Sequence, residues 1–421
     1  MKRKNLLPLI LVTSLFFLWA LTSNLIPTLI PHLKKACRLT DFQSAFIDSA
    51  YWIAYFVIAI PAGLVMKKFG YKKAIIAGLL IAATGTFLFY PAAEQRTFTL
   101  FLAALFIVAS GMAFLETAAN PYMTILGPPE TASQRLNFAQ AFNGLGAFIA
   151  AFFLSKVILS GREISDEVLS QMSAVDANAL LTNEAKSVQM PYLVIGFVLL
   201  VVAIIFIVTR FPSEQKEAEA DNSIDKKFNL FHHKNLLLGI AAQFFYVGAQ
   251  VCISSFFIRY AKHAAGLGEL DAATYLGFLL MGFMIGRYVG TFLMQYIQPA
   301  KLLAVYSIAN IILLAVIVFV GGKVSIYALI GVEFFMSIMF PTIFSLAIHG
   351  LGEDKTKMAS SYIVMSIVGG AVFPVIMGKV SDMFDIQLAY IVPGVCFFIV
   401  LYFAIKVKTN NDAIKEILSA A

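Results

Sequence analysis

The chain has 421 residues, of which 60% are hydrophobic and only 13% charged, with a formal net charge of +7. Soluble globular proteins carry roughly a quarter of their residues charged, so this composition excludes a soluble domain and indicates a polytopic membrane protein. The Lys and Arg residues sit in short breaks and tails rather than in a continuous stripe, which argues against a nucleic-acid partner and for the positive-inside bias.

The apolar runs are about 20 residues or longer, enough to cross a roughly 30 Å hydrocarbon core as helices, and the short alternating segments of an outer-membrane barrel are missing. The predicted fold is therefore an all-α membrane protein. In chain order the hydropathy pattern predicts twelve spans, at 5–33, 42–66, 74–93, 98–127, 135–160, 190–210, 235–262, 270–293, 301–320, 324–349, 357–379 and 387–407. The first follows a basic start, Met1 to Asn5, that has the charge order of a signal peptide, but no small-residue cleavage site follows, so it reads as an uncleaved helix.

An even number of spans places both termini on one side of the membrane. That side holds Met1 to Asn5, the Lys67 to Lys73 loop, the polar segment before span seven and the tail from Lys406, and its excess of Lys and Arg predicts that it is cytoplasmic. A Ser-, Asp- and Ala-rich stretch, 161–187, is expected to be an external loop with a short surface helix. The Glu-, Lys- and Ala-rich stretch from Ser213 divides the chain into a six-helix bundle at 1–212, a linker at 213–234, and a second bundle with its tail at 235–421. Gly111, Phe114, Pro121 and Leu126 of span four recur 220 residues later as Gly331, Phe334, Pro341 and Leu346 of span ten. A six-plus-six chain with such an echo fits the parallel-repeat transporter design, two pseudo-symmetric bundles around a site at mid-membrane.

Inside that framework, Glu116 of span four is the costliest residue. A carboxylate within an apolar span is by default part of a solute or ion site. Asn120 follows one turn later on the same face, and Gln140 and Asn143 share a face of span five. Amides offer two donors and an acceptor oxygen and suit a hydroxylated solute, although interhelical hydrogen bonding is the plainer role for them. Gln243, Tyr246 and Gln250 fall at i, i+3 and i+7 and form one polar face of span seven. Glu333 of span ten lies either along the solute path or in a packing hydrogen bond. The basic cluster at Lys67, Lys68, Lys72 and Lys73 can cap helix ends or pair with acids in one conformational state, unless it is simply positive-inside charge beside a packing glycine. Gly369 and Gly370 in span eleven read either as a hinge or as a close helix contact, the latter being simpler. Neither the three cysteines nor the five histidines have metal-site or disulfide-framework spacing, and no enzyme cofactor is expected.

Five stretches together resemble a known family: Phe16-Phe-Leu-Trp-Ala20; Phe114-Leu-Glu-Thr-Ala-Ala-Asn-Pro-Tyr122; Gln140-Ala-Phe-Asn143; Gln243-Phe-Phe-Tyr-Val-Gly-Ala-Gln250 with Ile258-Arg-Tyr-Ala261; and Pro341-Thr-Ile-Phe-Ser-Leu346. They resemble the major facilitator superfamily and, within it, the fucose:proton symporter family. The resemblance implies cation-coupled uptake of a hexose or deoxyhexose by alternating access in a bacterial inner membrane. It implies that Glu116 carries protonation and sugar binding, with Asn24, Gln140 and Asn143 as sugar ligands.

The chain departs from that family where an acid is expected on helix one, since Ile26 and Pro27 stand there. Asp48 on span two is the candidate replacement. Pro27 lies ten residues before the turn at Cys37 and Asp48 eleven after it, so at about 1.5 Å per residue they sit at similar depth. Tyr51 and Tyr55 extend the Asp48 face as candidate lining, a pattern that also suits plain packing. The expected function is proton-coupled import of a monosaccharide, L-fucose or a related hexose, by a monomer. Sodium-coupled uptake of glucose or galactose and proton-coupled export of another small solute stay open, and with them Na⁺ in place of H⁺ as the coupled ion.

Overall fold

A computed structural model of the chain describes residues 6–25, 29, 32–33, 36–39, 41–150, 171–211 and 229–407. All regular structure among the described residues is helical. The main helices are α1 (Leu6–Ser23), α2 (Asp41–Gln95), α3 (Phe98–Ile125), α4 (Ala132–Ile149), α5 (Ala174–Lys186), α6 (Gln189–Val208) and α7 (Lys234–Ala265). They continue with α8 (Glu269–Leu293), α9 (Pro299–Phe319), α10 (Gly322–Met336), α11 (Met339–Ala347), α12 (Glu353–Met365), α13 (Gly369–Met383) and α14 (Ile391–Lys406).

Every predicted span contains described helix. Nine described segments are long and apolar enough to cross a membrane, and one of them, Ala50–Gln95, holds the third predicted span and the second from residue 50 onward. The first and fifth spans are represented by the shorter described helices α1 and α4. Residues 151–170, which include the end of predicted span five, lie outside the described set, as do Pro27, Pro31 and most of the predicted linker.

Three details differ from the pattern read in the sequence. The predicted loop at 67–73 narrows to a single break at Gly70, whose φ of 83° is open to glycine and strained for other residues. Lys72 beside it donates to the carbonyl of Ile207 at 3.2 Å, so a lysine of the basic cluster does cap a helix end, that of α6. Span ten is two helices, α10 and α11, parted at Ser337 and Ile338. Pro341 has no N–H and cannot bond back to the carbonyl of Ser337 four residues earlier, so the ladder fails there. Span eleven is likewise interrupted by a 3-10 turn at Ser366–Val368.

The chain forms two compact units, Lys2–Ala119 with Phe142–Asn222, and Asn120–Ala141 with Ser223–Ala421. In the first, a Cβ on Gly111 of α3 would collide with the backbone of Ala82, and one on Gly85 with the backbone of Val108, so α3 lies directly against the second arm of α2. The other side of that arm meets α6, where Phe89 stacks on Tyr192 at 3.9 Å. The predicted surface helix is α5. Ser173 caps it by accepting from the backbone N–H of Asp176 at 3.1 Å, and Glu184 on its buried side lies 3.6 Å from His32.

In the second unit α7 is the central element. Gly248 packs on Phe373, Gly239 on Ala347, and Gly369 on the carbonyl of Phe244, which supports close packing at the Gly369 and Gly370 pair. The helix ends in a left-handed Gly266, whose N–H returns to the carbonyl of Lys262 at 3.0 Å. Gly286 and Gly290 of α8 bring that helix onto the break in span ten, against the carbonyl of Phe334 and the side chain of Ile338.

Candidate functional site

In the first unit the buried acid is where the hydropathy pattern places it. Glu116 is 2% exposed on α3, and the hydroxyl of Tyr55 is its hydrogen-bonding neighbour. Tyr55 also accepts from the indole Nε1–H of Trp19 at 2.9 Å, and its ring lies 4.8 Å from that of Tyr51. Span one, span two and span four thus contribute Trp19, Tyr51, Tyr55 and Glu116 to one polar and aromatic cluster. The helical spacing of Tyr51 and Tyr55 along α2 lets both face the acid. Trp19 escaped the sequence reading as a site residue, although it stands in one of the five recognised stretches. Its signal was a polar N–H on a large ring within an apolar span, which needs a partner once buried.

Asp48 falls on α2 one turn before Tyr51, and its side chain lies outside the described set. Asn24 follows the end of α1 and donates to its own helix, at the carbonyl of Ala20, at 2.8 Å. One amide hydrogen of Asn24 therefore closes the helix.

In the second unit the side-chain amide of Gln140 donates to Oδ1 of Asn120 at 3.1 Å. Both are buried, so the two candidate amides on spans four and five form one fixed pair. Asn143 is one turn further along α4 and half-buried. On α7, Gln243 and Tyr246 are fully buried; the backbone of Phe340 is a hydrogen-bonding neighbour of the Tyr246 hydroxyl, and the Gln243 amide has no hydrogen-bond partner among the described residues. Buried polar groups are rarely left unpaired, and such groups at a candidate solute site are available for ligand hydroxyls. Gln250, two turns on, is half-buried. Its carbonyl accepts from Ser254, whose hydroxyl also donates to Glu333 at 3.1 Å. Glu333, 1% exposed, makes the packing hydrogen bond that was one of its two readings.

Arg287 of α8 is the second residue that the sequence reading passed over. It stands between Gly286 and Gly290 and is only 3% exposed. The guanidinium Nε donates to the carbonyl of Ser337 at 2.8 Å, Nη1 donates to the carbonyl of Gln140 at 2.7 Å, and the group stacks on Phe283 at 4.5 Å. Tyr246 and Glu333 are among its electrostatic neighbours. Its position inside an apolar run was the available signal. Among the described residues no group of three His, Cys, Asp or Glu side chains comes together to hold a metal ion.

The amino-acid sequence matches a family model described as Major Facilitator Superfamily over residues 11–367, the stretch that holds the buried acid and the amides of spans four, five and seven. The chain belongs to the Major Facilitator Superfamily. Within the superfamily it is 43% identical over 412 residues to the L-fucose-proton symporter of Escherichia coli (strain K12), covering 96% of this chain and 93% of that protein. It is 40% identical over 396 residues to the glucose/galactose transporter of Brucella abortus (strain 2308), covering 94% of this chain and 92% of the relative. A crystal structure of a Major Facilitator Superfamily transporter in the outward conformation superimposes with a TM-score of 0.89 at 42% identity, covering 97% of this chain and all of that one. The major facilitator fold, with its twelve helices, and a transporter rather than an enzyme are thereby established for this chain.

Proposed function

We propose that this protein is a proton-coupled symporter that imports a monosaccharide, L-fucose first among the candidates, across a bacterial inner membrane by alternating access. The observation that carries the reading is Glu116, a carboxylate buried to 2% exposure inside α3 and adjoining the Tyr55 hydroxyl, in a chain 43% identical to an L-fucose-proton symporter. A carboxylate in that setting changes protonation at a cost that a bound hydroxylated ligand can alter, which couples the two events.

In this reading Glu116 binds both proton and sugar, and Asp48 supplies the second acid that helix one lacks. Gln140, Asn143 and Asn24 contact the sugar from the first six spans, with Asn120 holding Gln140. Gln243, Tyr246 and Gln250 contact it from span seven. Tyr51 and Tyr55 line the approach, and Glu333 sits beside it. The bundles at 1–212 and 235–421, joined by a cytoplasmic linker at 213–234, alternate in exposing the site, with both termini cytoplasmic and the chain acting as a monomer. Support comes from the Gln243 amide, unpartnered among the described residues, and from the Gln140–Asn120 pair.

Purified protein in liposomes tests this directly. Labelled L-fucose, D-glucose and D-galactose are offered under an imposed pH gradient, an imposed Na⁺ gradient, or neither. Accumulation of L-fucose driven by the pH gradient alone is expected. Accumulation driven only by Na⁺ replaces the proton with sodium, and accumulation of no hexose under either gradient rejects sugar symport.

A further inference from the structure

Arg287 lies inside an apolar helix, where an unpaired guanidinium is expensive, so the contacts that compensate it indicate what it holds. Two of them are backbone carbonyls, and each is available for a stated reason. Ser337 lies at the break in span ten, four residues before Pro341, and proline cannot supply the N–H that would otherwise take that carbonyl. Gln140 lies within α4, and its carbonyl oxygen has a second lone pair beyond the helical hydrogen bond. The guanidinium reaches both with separate nitrogens, Nε at 2.8 Å and Nη1 at 2.7 Å, while Phe283 covers its face. Gly286, the preceding residue, has no side chain to hold α8 away from the Phe334 carbonyl, and this close approach lets Arg287 reach the break. The residue gripped at the far end, Gln140, is the one whose side chain donates to Asn120.

We propose that Arg287 is a positioning residue for sugar recognition: it ties the Gln140–Asn120 amide pair to the proline-made break in span ten and so sets the affinity for the sugar. The proposal rests on the reading of Gln140 as a sugar ligand. The planar fork of arginine is what spans two carbonyls at once. A lysine keeps the charge but has a single ammonium at the end of its stem, so it cannot reproduce both bonds in the same geometry.

The test is a double-mutant cycle on initial uptake of labelled L-fucose, D-glucose and D-galactose by the full-length protein in liposomes. Arg287→Lys is expected to raise KM by on the order of tenfold, the size of losing one such grip, with a much smaller change in Vmax. In a Gln140→Ala background, which keeps the carbonyl and deletes the amide that Arg287 positions, the same substitution is expected to add at most about twofold. A purely structural role for Arg287 predicts the same loss in both backgrounds, and that result overturns the proposal, as does an unchanged KM. If Arg287→Lys fails to assemble, Phe283→Leu uncovers the guanidinium while leaving both carbonyls in place. It must then raise KM in the native background and not in the Gln140→Ala background, and equal effects in both reject the proposal. If the unaltered protein accumulates none of the sugars, the functional reading itself fails and this inference falls with it.

Discussion

The Gln140 amide donates to Oδ1 of Asn120 at 3.1 Å, joining span five to span four through two side chains that are both buried. Deleting one partner leaves the other unsatisfied in a dry setting, at a cost of about 1–3 kcal/mol. Asn120→Ala is therefore expected to lower the thermal stability of the detergent-solubilised protein and to weaken sugar binding. Gln140→Glu takes away the N–H that Asn120 accepts and buries a carboxylate in its place, so it too is expected to lower the stability and to raise the sugar KM. Thermal unfolding with and without sugar, read alongside uptake, separates the two effects; lowered stability with an unchanged sugar KM in each variant would assign the pair a packing role alone.

Glu116 is the group on which gradient coupling depends. Glu116→Gln keeps the size and hydrogen-bonding capacity of the side chain and removes its titration. Accumulation driven by a pH gradient is expected to vanish, while sugar exchange across the membrane without a gradient persists. Asp48→Asn is expected to reduce the same accumulation. Counterflow and gradient-driven uptake measured on the same preparations check both expectations, and intact pH-driven accumulation in Glu116→Gln would remove the acid from the mechanism.

Tyr55 stands between Trp19 and Glu116, accepting from the indole at 2.9 Å. Tyr55→Phe removes the hydroxyl and leaves the ring. The net loss is about 1 kcal/mol for the indole hydrogen bond, together with a change at the carboxylate. The expected outcome is a shift in the pH profile of uptake and a change in Trp19 fluorescence, measured with Trp52, the other tryptophan, replaced by phenylalanine. A pH profile identical to that of the unaltered protein would limit Tyr55 to packing.

Gly111 has no room for a side chain, because a Cβ there would collide with Ala82 of the neighbouring arm of α2. Gly111→Val is expected to destabilise the protein by about 1–3 kcal/mol through overpacking, or to prevent its assembly. Gly394, whose Cβ would meet nothing within 4 Å, provides the control. Gly394→Ala is expected to be nearly neutral in a thermal-shift assay.

The spans were legible because hydrophobic length is a local property: about 20 apolar residues suffice whatever lies beside them. The burial of Glu116 was legible for the same reason, since the surrounding run announces an apolar setting for any charge within it. The amide faces on spans four, five and seven followed from helical spacing alone. What spacing could not say was which faces meet. The Gln140–Asn120 pair, the reach of Trp19 to Tyr55, and the placement of Ser254 beside Glu333 depend on the rotation and crossing of separate helices, fixed by packing contacts far apart in the chain.

Arg287 marks the boundary between the two kinds of information. The sequence by itself determined a charge inside an apolar run, a glycine before it, and a proline in span ten. Only the tertiary structure decided that the glycine brings α8 onto the break in span ten, that the proline leaves the Ser337 carbonyl without its helical donor, and that one guanidinium bonds this carbonyl and that of Gln140 together. The physical reason is that a buried charge must find its compensation in space, and its partners here lie 50 and 147 residues away along the chain.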